Sequence, residues 1–215
     1  VDNTYMGPLW SSPLKFGSDL VIYSATKYIG GHSDLIAGAV LGNSEVMQRV
    51  KVLRTFLGNM PSPHTCWLLL RSLETLKVRM EQQAETTHHI ANYLKEHSKV
   101  KALHYLGFLD DDSNKQALYQ RQYTSAGAMI AFELAGGEKE AFQFLNHLKL
   151  IKLAVSLGGT ESLAQHPATM THAGVAVQIK ERIGITSGLI RLSVGLEHHE
   201  DLIKDIVAAL DVIAG

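Results

Sequence analysis

Ser24-Ala25-Thr26-Lys27-Tyr28-Ile29-Gly30-Gly31-His32 sets a lysine between two hydroxyl residues and ahead of a glycine pair. An apolar run, Leu20-Val21-Ile22-Tyr23, leads into it. The run reads as a short buried strand, and the Ser/Thr/Gly cluster after it as a turn. A lysine just past the end of a buried strand can be desolvated. Its pKa then falls, and the neutral amine can form a Schiff base with a carbonyl group. Ser24 and Thr26 flank Lys27 at alternate positions, where both hydroxyls could donate to a phosphate. Spacing alone describes a surface lysine in a polar loop equally well, since most lysines are exposed.

Outward from this stretch, Leu20 to Tyr23 and Leu35 to Leu41 read as neighbouring strands of an α/β sheet. Glu45 to Leu57 has helical spacing, with Val46, Val50, Leu53 and Leu57 on one side. Pro61-Ser62-Pro63 marks a stop and a new start, because proline suits the first turn of a helix. A long helix is expected from His64 to His97, burying a stripe of Leu69, Leu73, Leu76 and Met80. From Val100 the pattern changes. Strands are expected at Val100 to Leu106, Ala128 to Leu134, Ile151 to Val155 and Leu189 to Val194. Helices are expected at Lys139 to Leu148 and Asp201 to Ile213, the latter with Leu202, Ile206, Ala209 and Leu210 inward. Asp110-Asp111-Asp112 reads as a solvated loop.

The 215 residues are 46% apolar and 19% charged, which suits a soluble globular chain of one or two domains. A net charge of −1 carries no footprint for nucleic acid. No apolar run approaches the roughly 18 residues a membrane helix needs, so no membrane partner is expected. No secretory signal opens the chain. The single Cys66 excludes an internal disulfide and fits a reducing, cytoplasmic compartment; it is expected as a small buried residue in a helix. The 11 histidines invite a metal reading, but His88-His89 and His198-His199 are adjacent pairs expected on different helix faces. His166 and His172 flank a proline loop with no cysteine or carboxylate cluster, so no metal site is expected. Gly30-Gly31 is not a dinucleotide fingerprint, since no G-x-G-x-x-G occurs. Arg191 lies within the apolar Leu189-Ile190-Arg191-Leu192, where a cation is costly unless paired. A substrate carboxylate or an internal carboxylate would each serve. Asp2, in Asp-Asn-Thr, reads by itself as a turn aspartate.

Four stretches together resemble the Cys/Met-metabolism family of pyridoxal 5'-phosphate (PLP) enzymes. Ser24 to His32 meets the pattern S-x-T-K-Y-x-x-G-H. Val1-Asp2-Asn3-Thr4-Tyr5 is similar to the family's V-D-N-T-[FY] strand end. Leu153 to Gly159 and Gln165 to His172 resemble its substrate-side loop, and Ile190 to Glu197 its I-R-L-S-V-G-x-E block. The resemblance implies an α/β PLP-dependent transferase of the aspartate-aminotransferase type, fold type I. Residues 1–97 would be the C-terminal part of the PLP-binding large domain with a long connecting helix, and 98–215 the small C-terminal α/β domain. It implies that Lys27 is the catalytic Schiff-base lysine and that Asp2, Ser24, Thr26 and Lys27 bind the cofactor. Asp2 would face the pyridine nitrogen; Ser156 and Arg191 would bind the carboxylate of an amino-acid substrate.

The implied reaction is elimination or replacement at the γ-carbon of a sulfur amino acid or an activated homoserine. Val155 stands where cystathionine-cleaving members carry glutamate, which draws the chain toward the methionine gamma-lyase branch. Cystathionine gamma-synthase-like replacement and cystathionine gamma-lyase activity are the alternatives, and a non-catalytic assembly partner the remote one. Val1-Asp2 reads as the end of a strand. The chain is therefore expected to be the C-terminal half of a longer polypeptide, working as a homotetramer built from dimers; a naturally short protein is the other reading.

Overall fold

The computed structural model describes residues 1–109 and 112–213. The expected acidic loop falls partly outside them, at Asp110 and Asp111. In chain order the elements are α1 (Gly7–Trp10), a 3-10 turn (Pro13–Phe16), β1 (Leu20–Ser24), β2 (Gly38–Gly42), α2 (Ser44–Leu57), α3 (Pro63–Leu73) and α4 (Leu76–Glu96). There follow β3 (Val100–His104), α5 (Ser113–Gln122), β4 (Met129–Leu134), α6 (Glu138–His147), β5 (Lys152–Leu153), β6 (Leu163–Gln165), α7 (Val177–Arg182), β7 (Leu189–Ser193) and α8 (His199–Asp211). They pack as two compact units. One holds Val1–Glu81 and the described part of Leu109–Gly127; the other holds Gln82–Phe108 and the described part of Ala128–Gly215.

In the first unit β1 pairs antiparallel with β2, from Leu20 opposite Gly42 to Ser24 opposite Gly38. On its other side β1 takes the first residues of the chain: Asp2 bridges Ile22 in parallel, the Asn3 amide donates to the Ile22 carbonyl at 2.9 Å, and the Ile22 amide to that of Val1 at 2.8 Å. Period-two alternation sends Val21 and Tyr23 inward, while Ile22 is 45% exposed. Trp10 meets Tyr28 edge-on at 5.5 Å beside the buried Ala25, Leu35 and Met80.

The expected helix from His64 to His97 is two helices. α3 starts as proposed from the prolines, with Pro63 in its first turn and the Ser62 side chain accepting from the Thr65 amide. It stops at Leu73, and α4 begins at Leu76. At the break the Ser72 carbonyl accepts from the Thr75 amide at 3.3 Å and from Arg79 Nη2 at 2.9 Å. The expected stripe is also corrected. Met80 is fully buried, but Leu73 is 47% exposed, and no residue of α2 is buried. Periodicity reveals that a helix has an apolar face without revealing what covers it. Cys66, expected inside, is exposed on α3.

The second unit is a five-stranded sheet ordered β3-β4-β7-β6-β5, antiparallel throughout except for the parallel β5–β6 pair. Ile130, Phe132 and Leu134 alternate inward from β4. Phe132 meets Phe144 of α6 edge-on at 5.6 Å. Leu202, Ile206, Ala209 and Leu210 of α8 are fully buried, as their spacing requires. The expected strand from Ile151 to Val155 shrinks to two residues, and β6 is additional; three residues are too few to show alternation.

Candidate active site

Lys27 sits where β1 runs out into a tight turn. Its amide donates to Ser24 O at 3.1 Å, the Gly30 amide to Ala25 O at 2.7 Å, and the Gly31 amide to Lys27 O at 2.6 Å. Gly31 has φ +67°, which few side chains tolerate. Thr26 ties the turn to the chain entering β2. Its hydroxyl accepts from the Ala37 amide at 3.0 Å and donates to Ala37 O at 3.3 Å. Thr26 thus has a bracing role in the turn that the sequence did not reveal.

Asp2 reaches the same neighbourhood through β1. The Thr4 amide donates to its carboxylate at 2.9 Å, and the Thr4 hydroxyl accepts from the Ser24 amide at 2.8 Å. Hydrogen bonds from the Thr4 hydroxyl and then its amide hold the Asp2 carboxyl below the ordinary carboxylate range. Asp2, Thr4, Ser24 and Lys27 therefore form one connected cluster. Its groups are an amine, a stabilised carboxylate and hydroxyls. That donor set suits an aldehyde, a basic ring nitrogen and a phosphate, so these residues fit PLP.

The second unit brings Ser156 and Arg191 together. Arg191 Nη2 donates to Val155 O at 2.7 Å and to Ser156 O at 3.1 Å. Gln165 of β6 stands directly opposite Arg191 of β7. The amide orientation that satisfies both residues lets the Gln165 oxygen accept from Nε at 3.2 Å and Nη1 at 3.3 Å. Gln165 is 1% exposed and was missed in the sequence, because strand pairing and not local pattern sets it against Arg191. The loop carrying Ser156 is braced. The Gly158 amide donates to Ser193 Oγ at 3.0 Å; the Ser162 hydroxyl donates to Glu197 at 2.7 Å and accepts from the Gly195 amide at 2.8 Å. The motif residues Ser193, Gly195 and Glu197 thus position backbone.

His166 is buried, with Nε2 donating to Ser187 O and Nδ1 accepting from Thr169, both at 2.8 Å. It braces the proline loop. His198 and His199 do not diverge as expected: they stack at 4.6 Å, and His89 lies over His199 at 4.3 Å. Among the described residues, no three His, Cys, Asp or Glu are grouped to hold a metal ion. Nor is any described helix long and apolar enough to cross a membrane.

A strand-end lysine turn joined to a carboxylate, together with a strand-borne arginine on a mixed sheet, defines an α/β protein of the PLP-dependent type. The model of the Cys/Met metabolism PLP-dependent enzymes matches residues 1–211, and the chain belongs to that family. It is 42% identical over 216 residues to the L-methionine gamma-lyase of Pseudomonas putida, covering 100% of this chain and 54% of that protein. It is 42% identical over 212 residues to a cystathionine gamma-lyase of Dictyostelium discoideum, covering 98% and 54%. The solved cystathionine gamma-synthase of Xanthomonas oryzae pv. oryzae, in complex with cystathionine, superposes with a TM-score of 0.93 at 42% identity, over 98% of this chain and 54% of that one. The chain spans about half the length of the curated relatives it matches.

Proposed function

We propose that this chain belongs to a PLP-dependent carbon–sulfur lyase that eliminates the γ-substituent of a sulfur amino acid, in the manner of methionine gamma-lyase. The Lys27 turn, joined through Ser24 and Thr4 to the Asp2 carboxylate, carries the reading. PLP, when bound, supplies an electron-withdrawing ring conjugated to the substrate Cα. Lys27 anchors it and then moves a proton at Cα as general base and acid. Asp2 holds positive charge at the ring nitrogen. Ser24 serves the phosphate end, joined by Thr26 once its one hydroxyl proton turns from the Ala37 carbonyl, and Arg191, beside Ser156, orients the substrate carboxylate through a bidentate pair. Val155 is 53% exposed next to this arginine. An apolar side chain there suits a methyl thioether and offers no partner to the distal ammonium of cystathionine.

In the whole protein residues 1–97 would close the cofactor-binding large domain and residues 98–215 form the small domain, within a tetramer of paired dimers. The second reading is γ-replacement or cleavage involving cystathionine. It is supported by the 0.93 TM-score to the synthase solved with that ligand. Product analysis with methionine, cystathionine and an acylated homoserine separates the two. Release of methanethiol from methionine as the fastest reaction is expected. Turnover confined to cystathionine or the homoserine ester would overturn the methionine reading.

A further inference from the structure

We propose that Arg79 is a positioning residue for Lys27, acting through the backbone of the turn; the proposal rests on the reading of Lys27 as the cofactor lysine. Arg79 is 4% exposed, a placement that is costly for a guanidinium unless its hydrogens are met. Its bonds go to neutral oxygens. Nε donates to Thr75 Oγ1 at 3.1 Å and Nη2 to Ser72 O at 2.9 Å, which together cap the α3–α4 break. The remaining donors point elsewhere. Nη1 donates to Tyr28 O at 2.9 Å, and Nη2 also reaches Ile29 O at 3.5 Å. Those carbonyls belong to the two residues immediately after Lys27.

Gly31 completes the clamp. A Cβ at Gly31 would overlap Arg79 Nη1, so the guanidinium and the turn can approach only because this residue has no side chain. Lys27 is thereby fixed from both sides: Thr26 binds Ala37 before it, and Arg79 binds Tyr28 and Ile29 after it. A guanidinium suits the task because its rigid fork spans several carbonyls at once, whereas an ammonium is a point donor on a flexible stem. Bracing a helix break needs only the Ser72 and Thr75 bonds. The reach to residues 28 and 29 aims a lysine.

The test uses the complete polypeptide with Arg79→Lys, Gly31→Ala and the double variant. Each is titrated with PLP, its visible circular dichroism recorded, and the bound cofactor reduced with borohydride and mapped. The native protein should carry the reduced label on Lys27. Arg79→Lys should keep its far-ultraviolet dichroism and mass, yet need about 10-fold more PLP for half-saturation, the size expected when hydrogen bonds to a charged donor are lost. Its visible dichroism per bound cofactor should fall, reporting a loosened ring. Gly31→Ala should do the same, and the double variant should be no worse than the poorer single one, because both changes break one clamp. Half-saturation and visible dichroism unchanged in Arg79→Lys, or additive losses in the double variant, would limit Arg79 to bracing the helix break and overturn the proposal. Should Arg79→Lys not fold, Arg79→Gln, which keeps an amide donor without the fork, decides by the same two readouts. A label on another lysine in the native protein would instead sink the reading of Lys27 itself.

Discussion

The Asp2 carboxylate owes its acidity chiefly to Thr4. Its pKa is lowered first by the Thr4 hydroxyl and then by the Thr4 amide. A depressed carboxylate pKa means that whatever the charge stabilises is present above the ordinary value and lost as pH falls through the lowered one. Thr4→Val removes the hydroxyl, so the Asp2 pKa should rise toward its ordinary range. The ring-nitrogen partnership would then fail at higher pH, and acid titration of the visible band should show cofactor release beginning at a higher pH than in the native protein. Thr4→Ser, which keeps the hydroxyl, should titrate as the native protein does. Unchanged titration in Thr4→Val would remove Asp2 from the ring nitrogen. At this scale the sequence was legible where chemistry dictates residue type: a lysine after a strand, an arginine inside one. The supporting residues were opaque. Thr4, Gln165 and Arg79 act through partners 20, 26 and 51 positions away, separations set by strand pairing and helix packing rather than by local pattern.

At the scale of elements, α8 and the end of α6 are joined by a buried carboxylate. Asp205, 9% exposed, accepts from the amides of Lys149, Leu150 and Ile151 at 2.8, 3.0 and 2.9 Å, where the chain turns into β5. Asp205→Ala would leave three amides unmet, the Ile151 amide in a buried setting. A loss of about 2–4 kcal/mol is expected, read as a lower urea midpoint; Asp205→Asn should recover part of it. A loss under about 0.5 kcal/mol, within the range of ordinary surface substitutions, would mean that water replaces the carboxylate. The same scale shows why some elements could be read and others not. β4 and α8 bury one face and so carry strong periodicity. α5 has no buried residue, and its start is fixed by Asp112 accepting from the Lys115 amide, a cap hidden inside what reads as an acidic run. The α3–α4 break is capped by Arg79, which reads as one more polar residue on a helix.

On the scale of the whole molecule, apolar side chains that a helical pattern would bury stand in solvent. Along α2, α3 and the segment between them, Leu53 is 60% exposed, Phe56 85%, Leu57 69%, Met60 58%, Trp67 56% and Leu70 66%. Several of them border an open cleft of about 890 Å³ between β2 and α2, lined by Ile36, Val40, Val50, Leu53 and Leu57 among others. Exposed apolar side chains in this number favour association, because each large one buried gains roughly 1.5–3 kcal/mol. Residues 1–215 expressed as such should therefore self-associate, and sedimentation at tens of micromolar should give masses well above the 23.6 kDa of one chain. Replacing Phe56 and Leu70 together by glutamate adds charge at exposed helix positions and costs little intrinsic helix propensity. That variant should keep the far-ultraviolet dichroism and shift the distribution toward single chains. A native chain that sediments as a monodisperse 23.6 kDa particle would show that this face does not drive association. A charged variant that associates as strongly as the native chain would move the contact to another surface, with the exposed Ile22 and Leu41 on β1 and β2 the next place to substitute.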